Sequence, residues 1–151
     1  MSDVNHPVYE EYFTRSPFQL LGGAGWKRLV AFRVDETGVT LGGAPARYKS
    51  QTAFVPWQDI EAVVLWQHET AGLSPMSYVG VRRRPGAPPL PGPNRNLGPQ
   101  QTARLAPHVE HELFLASRAI NLWRIDPGRL VLSVQAFAPG MPVLLYEEKT
   151  E

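Results

Sequence analysis

Between Phe32 and Trp66 the sequence FRVDETGVTLGGAPARYKSQTAFVPWQDIEAVVLW favours β-structure over any other arrangement. Phe32-Arg33-Val34 and Val39-Thr40-Leu41 flank Asp35-Glu36-Thr37-Gly38. An acid opens that turn and a glycine stands where a left-handed backbone carries no penalty, which is a hairpin signature. Farther on, Phe54-Val55-Pro56-Trp57 runs into Gln58-Asp59-Ile60. Proline has no N–H for a ladder, so it marks the end of a strand, and Trp57 and Ile60 can both turn into the core beyond it. Asp59 is expected to cap this corner. The alternation Ile60, Ala62, Val64, Trp66 then predicts a half-buried strand.

A chain of 151 residues with 43% hydrophobic composition is the size of one domain with a sizeable core. Its net charge of +1 gives no bulk attraction to nucleic acid, and no nucleic-acid partner is expected. The absence of cysteine excludes disulfides, a thiolate nucleophile and cysteine-ligated metal. Neither a basic-then-apolar leader nor an apolar run of about 18 residues is found, so the expectation is a soluble, cytoplasmic protein.

Residues 1–25 read as an N-terminal extension packed on the domain. Its Val8–Phe13 stretch suits a strand or one helical turn, and Ser16-Pro17 breaks it. Gly22-Gly23-Ala24-Gly25 leads into Trp26–Phe32, which reads as a strand. A dinucleotide fingerprint needs a helix in that place, so these glycines are a loop. Residues 26–146 form the domain proper and 147–151 a charged tail. After a turn beginning at His68, Tyr78–Val81 is a short strand that ends in Arg82-Arg83-Arg84, the densest charge in the chain. Strand residues alternate faces, so Arg83 points opposite to Arg82 and Arg84. Together with Lys27 and Arg28 the three arginines are the candidate anion-binding residues, the bland reading being a solvated strand end.

Residues 85–107 carry seven prolines and almost no apolar periodicity. They are expected to form a long flexible connection, with polyproline geometry at Pro88-Pro89-Leu90-Pro91. His108-Val109-Glu110-His111-Glu112 is the one cluster of metal-ligand types. If the strand-like Leu113-Phe114-Leu115-Ala116 extends it, the two histidines fall on opposite faces; a metal enzyme centred on His108 and His111 is therefore the least favoured reading, and no metal or other cofactor is expected. Ile120–Ile125 alternates as a strand. Asp126 as N-cap, Pro127 at the first helical position and an apolar face of Leu130, Val131, Val134, Phe137 and Ala138 predict the only helix, ended by Pro139-Gly140. Met141–Tyr146 is a final packed extension.

About seven strands followed by one amphipathic helix suggest a mainly β fold, a partly open barrel capped by the helix. The pieces FRVDETGVTLGG, FVPWQDIEAVVLW and NLWRIDPGRLVLSVQAFAPGMPV resemble bacterial pleckstrin-homology-like domains, uncharacterised actinobacterial proteins among them. The resemblance spans Trp26 to Val143. It implies a noncatalytic scaffold that binds a protein or peptide partner, not an enzyme. In some eukaryotic relatives the ligand is a phosphoinositide held by basic residues around the first hairpin loop. Here that loop is Asp35-Glu36-Thr37-Gly38, whose acids repel phosphate. The alternative ligand is anionic lipid at a membrane periphery, held by Arg82, Arg83, Arg84, Lys27 and Arg28. Exposed strand edges would also permit a homo-oligomer.

Overall fold

The computed structural model describes residues 7–23, 25–68 and 75–146. The loose start at 1–6, most of the turn after His68 and the charged tail at 147–151 lie outside the described residues. The hairpin is built as its turn chemistry requires. Asp35 Oδ1 accepts the N–H groups of Thr37 at 2.8 Å and Gly38 at 3.2 Å. Phe32, Arg33 and Val34 then face Leu41, Thr40 and Val39. Gly38 has φ 154°, and a Cβ there would stand 2.1 Å from the Val55 carbonyl oxygen, so the position requires glycine.

β1 (Tyr9–Tyr12), β2 (Val30–Val34), β3 (Gly38–Leu41) and β4 (Ala53–Pro56) form an antiparallel sheet in chain order. One helical turn, α1 (Tyr48–Gln51), lies between β3 and β4. A 3-10 turn at Trp57–Asp59 passes the chain to the second sheet. There β5 (Ile60–His68), β6 (Met76–Arg83), β7 (Ser117–Ala119) and β8 (Val143–Tyr146) take the order β7-β6-β5-β8. β8 runs parallel to β5, and the other pairs are antiparallel. The two sheets share no strand, and they do not close into the expected barrel.

Nor is there a single helix. α2 (Pro99–Leu105) and α3 (His111–Leu115) precede α4 (Pro127–Phe137). The last is the expected C-terminal helix, with Asp126 Oδ1 accepting the Arg129 N–H at 3.2 Å. Its buried face is narrower than the pattern suggests, because Leu130 and Val134 are fully enclosed while Val131 is 40% exposed.

One core lies between the sheets: Phe32, Val34, Val39, Leu41 and Val55 from the first meet Val63, Val79 and Val81 from the second, with Leu130 and Val134 of α4. A second core covers the other face of β5, where Ala62, Val64 and Trp66 pack with Ala106, Val109, Leu113 and Phe114. The strand expected to be half-buried is therefore buried on both faces, and it reads as a nearly continuous apolar run for that reason.

Three further expectations are corrected. His108–Ala116 is not a strand entry; it contains α3, which turns Leu113 and Phe114 onto β5. Ile120–Ile125 forms no strand, since Leu122 adopts φ 66° and breaks the alternation, letting Trp123 stack on Phe32 with ring centroids 6.0 Å apart. The strand expected from Trp26 starts only at Val30, and Trp26 is 52% exposed.

Candidate functional site

The proline-rich segment is ordered by its own turns. Arg95 donates its N–H to the Gly92 carbonyl and Leu97 to that of Asn94, and Pro99 opens α2. Apolar anchors tie it down: Leu90 packs on the core between the sheets and Leu97 on the second core. Arg118, 4% exposed, holds it from within. Its Nε donates to the Gly42 carbonyl at 3.0 Å and Nη1 to its neighbour Ser117 at 3.0 Å. Nη2 donates to Gln51 at 2.9 Å and Pro91 at 3.0 Å. Burial lowers this guanidinium from the usual arginine value to about 10. The expected flexible insertion is thus a structural wall.

That wall closes a cleft of about 320 Å³ against β6 and α3. Leu90, Leu97 and Leu115 supply an apolar surface, and Arg83, Arg95, His111 and Glu112 the polar groups. The triple arginine divides at this point. Arg82 pairs with Glu110 at 3.1 Å and lies over the Tyr146 ring. Arg84 pairs with Asp59 at 2.8 Å, so Asp59 binds a distant arginine in place of capping its own turn. Arg83 has no carboxylate in ion-pair range among the described residues. One of its Nη1 protons reaches the Pro88 carbonyl, and its buried Nε has no partner there. Desolvation pulls its guanidinium below the usual arginine value, with the charges of Glu112 and Asp59 opposing that shift.

The other sequence candidates do not converge on this cleft. Lys27 and Arg28 line a different surface depression beside Tyr48 and Lys49, and Arg28 lies 4.2 Å from the Tyr12 ring centroid. His108 Nε2 donates to the Gln67 carbonyl at 2.7 Å, whereas His111 Nδ1 meets the Thr102 hydroxyl at 2.8 Å. Among the described residues, no group of three histidine, aspartate or glutamate side chains is placed to hold a metal ion. No described helix is long and apolar enough to cross a membrane.

Arg95 and the leucines of the cleft were missed from the sequence, because proline content masked a segment held by isolated apolar anchors. Leu90 and Leu97, the lone large apolar residues between Pro85 and Arg104, were the available signal. The chain matches no known family model, no curated protein and no solved structure.

Proposed function

We propose that this protein is a noncatalytic binding module on a pleckstrin-homology-like scaffold, whose cleft receives a short acidic segment of a partner protein. The scaffold reading rests on the sequence resemblance and on a four-stranded meander, three further antiparallel strands and the helix α4; α2 and α3 before β7, the parallel β8 after α4 and the open two-sheet form depart from that pattern. The ligand reading rests on Arg83. It alone of the three consecutive arginines has no acidic partner among the described residues, and it stands beside Arg95 over an apolar surface. A carboxylate from outside would supply the charge and the bidentate acceptor that a desolvated guanidinium favours. The neighbouring leucines would seat an adjacent apolar side chain. Glu112 leaves the lining net positive and can accept a backbone N–H of the incoming segment.

The test is crosslinked affinity capture from a native extract with the wild-type chain beside the Arg83→Gln/Arg95→Gln variant, each first shown to have a cooperative thermal transition. A stoichiometric protein partner retained by the wild type and lost by the variant is expected. A partner held equally by both would place binding elsewhere on the molecule.

A further inference from the structure

The loop between β1 and β2 displays apolar side chains where a folded chain normally hides them. Phe18 is 67% exposed, Leu20 55%, Leu21 76% and Trp26 52%. Their exposure is built in. Gln19, in the middle of the group, is 1% exposed, and its Nε2 donates to the carbonyls of Gly25 at 2.8 Å and Lys27 at 2.7 Å. Ser16 caps the 3-10 turn at Pro17–Gly22. An internal amide thus buttresses the loop from beneath, so its apolar residues cannot simply fold inward.

Charge surrounds them. Leu21 shares a surface depression with Arg47 and Lys49, and Lys49 joins Lys27 and Arg28 in a second one. In sequence the stretches 13–30 and 42–51 contain five basic residues, Arg15, Lys27, Arg28, Arg47 and Lys49, and no acidic one, while Glu10, paired with Arg33, accepts from the Tyr12 hydroxyl beneath Arg28. The remainder of the chain therefore carries ten basic against fourteen acidic residues. A net charge of +1 conceals a strongly basic face with an apolar tip.

We propose that this face, Phe18, Leu20, Leu21 and Trp26 within a rim of Lys27, Arg28, Arg47 and Lys49, docks the protein on an anionic lipid bilayer. Exposed aromatic and aliphatic side chains enter the headgroup boundary while the rim meets lipid phosphates. The rim comes from different elements than the arginine run at the end of β6, and the face is separate from the acidic-segment cleft.

Cosedimentation with phosphatidylcholine vesicles, with and without phosphatidylglycerol, tests this at low and high salt. Binding is expected only to the anionic vesicles, falling steeply as salt rises. Each Gln substitution of Lys27, Arg28, Arg47 or Lys49 is expected to weaken it roughly fivefold. Leu20→Asp/Leu21→Asp should reduce it by more than about tenfold. Trp26 emission should shift to the blue on binding, and Trp26→Phe should remove that shift, since Trp66 and Trp123 are already buried and Trp57 packs against the core with its Nε1 on the Asp35 carbonyl. These side chains are exposed, so the variants should keep the wild-type thermal midpoint. The proposal is overturned by no binding at low salt, by equal binding to neutral vesicles, or by binding that survives Leu20→Asp/Leu21→Asp. It is also overturned if the vesicles do not bind and that variant converts a dimer to a monomer, which would assign the face to a second copy.

Discussion

Arg118 carries its charge into the interior with carbonyl oxygens as its only acceptors among the described residues, and three of the four belong to distant segments at Gly42, Gln51 and Pro91. Substituting alanine strands those oxygens in a dry site, so Arg118→Ala should cost about 3 kcal/mol, read from urea unfolding. Arg118→Lys should recover only part of it, because an ammonium cannot reproduce the guanidinium fork. Nothing local in Ser117-Arg118-Ala119 announces this role. Asp35, by contrast, was legible as the residue that opens a turn. Burial alone would raise its carboxyl, but the Thr37 hydroxyl, the Arg33 guanidinium and the N–H groups of Thr37 and Gly38 outweigh that and hold it at about 2. Its folded value is depressed, so its contribution is complete above the unfolded value of 3.8 and is lost as pH falls through about 2. Asp35→Asn should remove about 1 kcal/mol at neutral pH, allowing for solvent screening, and flatten the acid limb of the stability profile.

At the scale of elements, local and distant forces separate clearly. The hairpin and α4 were legible because turn chemistry and capping are written in adjacent residues. α2 and α3 were not, since helices of seven and five residues are too short to be sustained by propensity; α3 exists here by covering β5, and α2 by packing on α3 through Thr102 and His111. α4 itself offers a contrast within one helix. Leu130→Ala should cost about 3 kcal/mol, because the side chain is wholly enclosed. Leu132→Ala, at a position 71% exposed, should change stability by less than about 0.5 kcal/mol. Excising 87–105 should abolish cooperative unfolding, since it takes Leu90 and Leu97 from the two cores and removes Pro91 from Arg118. A freely flexible connection would tolerate the same excision.

At the scale of the whole molecule, the chain is layered: one sheet, a core, a second sheet, and a short helical cover joined to the proline-rich wall. The layering explains why the candidate site was only half legible. Arg83 and His111 stood out by residue type, but the cleft between them exists only once residues 87–97 are folded back. It also gives Arg83 an unusual energetic position. In the unliganded protein Arg83→Met should leave stability unchanged or raise it by up to about 1 kcal/mol, because a half-buried guanidinium without a carboxylate partner is replaced by an apolar chain. The same substitution should abolish binding of an acidic segment. The most direct measurement is an NMR titration of the isotopically labelled protein with short peptides that place glutamate beside leucine or phenylalanine, set against the same peptides with glutamine. The account predicts saturable shifts centred on Arg83, Arg95, Leu97 and Leu115 with the acidic peptides, and their loss with the glutamine peptides or the Arg83→Met variant. Equal shifts from both peptide sets, or no shift at the cleft at any concentration, would contradict it.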